Sequence, residues 1–184
     1  MKTAKIGIQS GRFVQITRRS EFGFERTECA CRECQENCRH IPGYLIPDDI
    51  ERIGRHLGYT DMAEFADDCL LASPGATVMR SDGRLFQIPT IVPRRKEDDN
   101  SCVFLEGGHC SIHPVSPFGC AYFDCGQSHE EANRRSGHGL QEIARHFAAA
   151  EATSGYAVLW RLLYAAGRRA IPPHIARRQM KSGA

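Results

Sequence analysis

The chain has 184 residues, of which 41% are hydrophobic and 25% charged, a balance that suits a soluble globular protein long enough to bury a core. A net charge of +2 is too mild to imply nucleic acid as a partner, and the apolar runs are too short to cross a bilayer. The departure from the ordinary is nine cysteines in a chain whose opening, Met1-Lys2-Thr3-Ala4-Lys5-Ile6-Gly7, has no apolar leader core. These features predict a cytoplasmic protein whose thiols stay reduced, where clustered cysteine reads as metal or redox chemistry rather than a disulfide framework.

In chain order, residues 5–16 read as a hairpin, with Ile6 and Ile8 alternating before Ser10-Gly11 and Phe13, Val14 and Ile16 returning. A polar loop leads into Cys29, Cys31, Cys34 and Cys38, four thiols within ten residues. Pro47-Asp48-Asp49 opens a helix over 47–57, since proline fits the first turn and acids favour the N-terminal dipole. Ile50, Ile53 and Leu57 share its face, and Gly58 is its stop. Thr60 caps a second helix over 60–72, on which Cys69 falls in an apolar stripe and reads as a small core residue before a ligand. Ser73-Pro74-Gly75 ends that helix. Strands 77–80 and 85–88 then flank Ser81-Asp82-Gly83-Arg84, a strong hairpin signal, with Thr90–Val92 as a possible extension. Residues 93–101 carry mixed charge and read as a solvated loop.

The second cluster, Cys102, Cys110, Cys120 and Cys125, lies among Gly107, Gly108, Pro114, Pro117, Gly119 and Gly126, which forbid a long helix or a central strand. Beyond it, Ser128-His129-Glu130-Glu131 matches a capping box and begins a helical region over about 128–168, interrupted at Gly137 and Gly139, with Ser154 capping a last helix. After Glu151 no acidic side chain occurs, while Arg161, Arg168, Arg169, Arg177, Arg178 and Lys181 do; this reads as a solvated basic end, with a docking patch for an acidic partner or RNA as the alternative.

Thiolates favour zinc or iron in iron–sulfur clusters. Cys31-x2-Cys34 is a chelating pair, and Cys38 follows one turn later if the segment winds. Cys29 is one residue from Cys31, where the side chains diverge, so it is a second-site ligand or a spare. Gaps of seven, nine and four residues in the second cluster are too long for local chelation and suit a loop wrapped on a centre built elsewhere. Eight clustered thiols suffice for two four-thiolate sites. A zinc ribbon shows two Cys-x2-Cys knuckles and there is one here; a Cys-x2-Cys pair completed by distant cysteine also occurs in ferredoxin-type ligation. His40, His109, His113 and His129 lie beside the clusters as ligand or supporting donors.

Several pieces in order resemble the YkgJ-type cysteine-cluster proteins: Cys31-x2-Cys34-x3-Cys38-Arg39, then Pro47-Asp48-Asp49-Ile50-Glu51-Arg52-Ile53, then Cys102-Val103-Phe104-Leu105, Gly108-His109-Cys110-Ser111-Ile112-His113 and Pro117-x2-Cys120. The resemblance spans about residues 29–125 and implies a zinc- or iron-chelating domain with Cys31, Cys34, Cys38, Cys102, Cys110 and Cys120 as its core; Cys29, Cys69 and Cys125 are extra to it. The family's first cluster usually ends in adjacent cysteines and its second carries Arg-Pro-x2-Cys-Arg, whereas here Asn37 precedes Cys38, Ser116 stands at the first Arg and Ala121 follows Cys120. A similar cysteine-rich segment in flagellin lysine N-methylases, which are associated with an iron–sulfur cluster, tilts the expectation to iron; no Gly-rich S-adenosylmethionine loop accompanies it here.

The expected fold is α+β, a small irregular metal-stabilised domain with two β-hairpins and several packed helices. It divides into a cysteine-cluster domain over 1–127 and a helical extension over 128–184 packed on it. The expected function is an iron–sulfur protein, [4Fe-4S] first, with two centres as a further possibility, acting in electron transfer with a protein redox partner or inside a larger complex. A structural zinc module and a metal-dependent enzyme with an open coordination position, using His113 or Asp124, are the alternatives.

Overall fold

The computed structural model describes residues 32–79, 82–122, 128–148 and 154–172, with side chains from Gln35 onward. The expected hairpin at 5–16 lies outside these residues. So do Cys29, Cys31 and Cys125, and the side chain of Cys34. The architecture is mixed helix and strand, with two small antiparallel hairpin sheets among helices.

Helix α1 (Arg32–His40) contains the second half of the first cysteine cluster, so the segment does wind and Cys38 sits one turn after Cys34. Helix α2 (Pro47–His56) begins as the sequence predicts, with proline in the first turn and two acids behind it. Helix α3 (Met62–Cys69) is shorter than expected. Its cap is Asp61, whose carboxylate accepts the Ala63 N–H at 2.8 Å, rather than Thr60.

The chain does not turn off at Ser73-Pro74-Gly75. It leaves α3 directly into β1 (Leu70–Met79), which pairs antiparallel with β2 (Leu85–Pro93) from Leu70↔Pro93 to Met79↔Leu85. Ser73 pairs with Thr90 and Ala76 with Ile88, so Pro74-Gly75 faces a single residue as a bulge. The bulge spares proline a ladder hydrogen bond, and Gly75 adopts φ +88° there. The inner half of the hairpin is fixed from the far end of the chain. Ala72 N–H donates to Arg168 O, Ala170 N–H donates to Ala72 O, and Trp160 Nε1 donates to Ser73 O, each at 2.8 Å.

The second hairpin is β3 (Leu105–Glu106) with β4 (His109–Cys110), turning on Gly107-Gly108. A 3-10 turn (His113–Val115) and the short α4 (Phe118–Ala121) follow, so the Gly/Pro-rich cluster forms only short pieces, as its composition requires. Helix α5 (His129–Phe147) is capped by Ser128, whose hydroxyl accepts Glu131 N–H at 3.2 Å. Helix α6 (Gly155–Ala165) is capped by Ser154, which accepts Ala157 N–H at 3.3 Å. Glycines 137 and 139 do not interrupt α5. Gly139 is needed because a Cβ there would lie 2.4 Å from the Phe118 ring and 2.6 Å from the Tyr44 hydroxyl.

One hydrophobic cluster joins these elements, with Leu45, Ile53, Phe65, Leu70, Ile91 and Ile143 fully buried, and it draws on both sides of residue 127. At its centre the Tyr156 hydroxyl donates to Leu45 O and accepts Ile91 N–H, both at 2.8 Å, which ties α6 to the β2 bridge with Leu45. No helix among the described residues is long and apolar enough to cross a membrane.

The segment after α1 crosses α4 backbone to backbone. Gly119 N–H donates to Tyr44 O at 2.8 Å, and a Cβ on Gly119 would stand 2.2 Å from Tyr44 N. Neither main chain can yield, so Gly119→Ala is expected to cost roughly 1–3 kcal/mol in urea unfolding. Gly137→Ala, where a Cβ meets nothing within 4 Å, is expected to gain roughly 0.5–1 kcal/mol from helix propensity. Equal effects at the two positions would contradict the crossing.

Candidate metal centre

The crossing brings the two cysteine clusters together. Cys38 closes the last turn of α1, and its carbonyl accepts the N–H of Cys102 at 3.1 Å. Cys102 in turn bridges to Arg95 just beyond β2, and the Arg95 guanidinium donates to His40 O. The 93–101 stretch is therefore not simply a solvated loop. Residues 97–100 are exposed, but Arg95 and Lys96 are built into the site, with Lys96 Nζ on Leu105 O. Cys110 is held against the segment that follows Cys102 by pairing with Leu105 and by Ser111 N–H donating to Phe104 O at 2.8 Å. Cys120 lies in α4, next to the Gly119–Tyr44 hydrogen bond.

Asp49 holds α4 in place from α2. It is fully buried, and one carboxylate oxygen accepts Ile46 N–H at 2.9 Å and Phe118 N–H at 2.7 Å. The other oxygen receives the Arg52 guanidinium. Burial pushes the Asp49 carboxyl upward, against the pull of Arg52 and the two N–H groups. Arg52 and the paired N–H groups supply the hydrogen bonds that a buried carboxylate requires.

Cys38, Cys102, Cys110 and Cys120 all line one cavity of about 690 Å³. Burial pushes the Cys102 thiol up to about 12; the Phe104 N–H pulls it back, Cys110 and Cys38 push it further up, and Lys96 opposes them. A buried thiol that resists ionisation, as Cys102 does, is the kind that a bound cation would ionise, since the thiolate then faces positive charge. Among the described residues, no three His, Cys, Asp or Glu side chains are gathered closely enough to hold a metal ion by themselves. The donor chemistry fits a thiophilic metal. Of the first cluster, Cys38 is the thiol described at this cavity; the side chains of Cys31 and Cys34 lie outside the described residues.

Of the four histidines beside the clusters, only His129 lines the cavity, and it is exposed. His40 pairs with Glu36 at 3.1 Å, and His109 is exposed on β4. Asp124 lies outside the described residues. Cys69 is buried in the hydrophobic cluster, away from the cavity lining, with its sulfur 3.8 Å from the Tyr59 hydroxyl. Sequence reading missed Asp49 as a structural hub, taking it only as a helix-start acid, and missed Arg95. The Arg95 signal was its position seven residues before Cys102; nothing local announces Asp49.

The fold and site define a mixed helix–strand protein with thiols from two separated sequence clusters facing one cavity. No family model, curated protein or solved structure matches the chain.

Proposed function

We propose that the protein is an iron–sulfur protein of the YkgJ-type cysteine-cluster kind, working in electron transfer in the cytoplasm with a protein redox partner or as the redox part of a larger assembly. The observation that carries this reading is that Cys38 of the first cluster and Cys102, Cys110 and Cys120 of the second line a common cavity. These residues are 64 to 82 positions apart in the sequence; Cys102 is joined to Cys38 by a main-chain hydrogen bond, and Cys120 lies beside the crossing of Tyr44 and Gly119. A donor set of sulfur alone suits iron–sulfur ligation or zinc, and excludes magnesium and calcium, which take oxygen.

In this reading Cys31, Cys34, Cys38, Cys102, Cys110 and Cys120 are the principal ligands, with Cys29 and Cys125 available to a second centre. Such a cluster supplies one-electron chemistry. The chain's own part is to hold the thiols around one cavity and to set charge around them. Lys96 draws the Cys102 thiol toward ionisation, and Arg95 is bridged to the same residue.

Anaerobic purification followed by metal and acid-labile sulfide analysis tests this. Iron and sulfide in stoichiometric amounts are expected, with charge-transfer absorbance near roughly 400 nm. Stoichiometric zinc with sulfide near zero would replace the reading by a structural zinc module, which chelator would unfold.

A further inference from the structure

Helix α6 carries a single charged residue, Arg161, and is otherwise almost wholly apolar. A helix that is apolar all round belongs in an interior, yet only one side of α6 is there. Tyr156, Ala157, Leu159 and Leu163 are buried, on the side that meets β1, β2 and α5. Val158, Arg161, Leu162 and Ala165 recur at i, i+3, i+4 and i+7 and form the other side. There Leu162 is 41% exposed, and Arg161 and Ala165 are exposed with it. Helix α5 is built differently, with Glu130 and Arg134 at its exposed positions.

Charge selects what covers this face. Arg168 is paired with Asp67 at 3.1 Å. Arg169 lies over the Tyr164 ring, 4.0 Å from its centroid, with Nε donating to Tyr164 O at 3.0 Å. Among the described residues neither Arg161 nor Arg169 has a carboxylate partner, and the sequence has no acidic residue after Glu151. A second copy of α6 laid on this face would bring arginine to arginine with no acid to answer it. Nucleic-acid bases and the membrane interface are recognised by free aromatic rings, and the rings of α6 are engaged. Trp160 is stacked on Tyr164 with centroids 4.9 Å apart and donates Nε1 to Ser73 O, while Tyr164 lies beneath Arg169.

We propose that the exposed face of α6 is a docking surface for an acidic amphipathic helix of a partner protein, whose apolar side chains cover Val158, Leu162 and Ala165 and whose carboxylates pair with Arg161 and Arg169. Apolar anchors at helical spacing supply the contact, and the unpaired arginines set the sign of the partner. This goes beyond the metal-centre reading and rests on none of the thiols.

The test uses the full-length protein, purified anaerobically, and a dye-labelled helical peptide with leucine along one face and glutamate along the other. Its counterpart has lysine in place of every glutamate, and binding is followed by fluorescence anisotropy. The acidic peptide is expected to bind at least roughly tenfold more tightly than the basic one. Arg161→Glu is expected to erase that preference, and Leu162→Gln to weaken the acidic peptide at least roughly fivefold. Both positions are exposed and both new residues are good helix formers, so the fold is kept. Absence of acidic-peptide binding, equal binding of the two peptides, or unchanged binding in both variants would overturn the proposal. Tighter binding of oligothymidylate or of phosphatidylserine vesicles than of the acidic peptide would also overturn it, as would a dimer in sedimentation that Leu162→Gln abolishes. Those outcomes give the face to nucleic acid, a membrane or a second copy. Metal and sulfide content of the same preparations reports separately on the metal-centre reading.

Discussion

Replacing Cys102 by serine is expected to abolish metal retention, while the same change at Cys69 leaves it intact. Cys102 is the point where the site's parts meet. It is 7% exposed, its N–H is on Cys38 O, it bridges to Arg95, and its thiol feels both Cys110 and Cys38. A serine keeps the size and the backbone contacts but gives up the soft donor. The loss should exceed the roughly 10–100-fold that removal of a mere supporting partner costs in metal affinity. Cys69 is equally buried, yet its surroundings are Tyr59 and the hydrophobic cluster. Cys69→Ser should therefore cost roughly 1–2 kcal/mol of stability and no metal, because a hydroxyl in that position is a buried polar group with one partner at best. Metal-to-protein ratios after a chelator challenge decide between the two. Retention of metal by Cys102→Ser at the wild-type level would remove the thiol cavity from consideration as a metal centre.

The largest stability effect should come from Asp49, which touches no thiol. Asp49→Ala removes the acceptor of two main-chain donors, the Ile46 N–H and the Phe118 N–H, and the carboxylate partner of the Arg52 guanidinium, which keeps Ser116 O. Breaking a buried charged pair by removing one member costs about 3–5 kcal/mol, since the remaining charge stays buried and uncompensated. Asp49→Asn keeps the shape, but its amide cannot accept from both sides, so a smaller loss in the same direction is expected. The effect reaches the site through α4. Phe118 N–H opens that helix, and Cys120 lies two residues on, so weakened metal retention should accompany the lost stability. Urea unfolding of the two variants measures the first effect and chelator challenge the second. A change below about 1 kcal/mol for Asp49→Ala would show that α2 does not brace α4.

Local chemistry made part of this legible in the sequence. The start of α2 at Pro47, the caps at Ser128 and Ser154, and the hairpin around Asp82-Gly83 are each decided within a few residues, and each stands where it was expected. The pairing of two thiol clusters was suggested by count and spacing, since neither cluster completes a site alone. Reading failed where a distant partner outvoted a local signal. Ser73-Pro74-Gly75 looks like a chain break but continues β1 as a bulge, because Trp160 and the Arg168–Ala170 backbone satisfy the strand from the other end of the chain. Gly139 looks like a helix interruption but makes room for Phe118 and Tyr44.

The sequence by itself determined the donor types: thiols stand in two clusters, and the glycines and prolines around the second allow only short elements there. Which thiols face one another was decided only by tertiary structure. Cys38 meets Cys102 through a main-chain hydrogen bond, and Cys120 is brought up because Gly43 and Gly119 let main chains touch and Asp49 holds α4 across 69 residues of separation. Donor type is a property of a side chain and is written at its own position. The convergence of donors depends on hydrogen bonds and close approaches whose partners lie far along the chain, and spacing alone does not encode them.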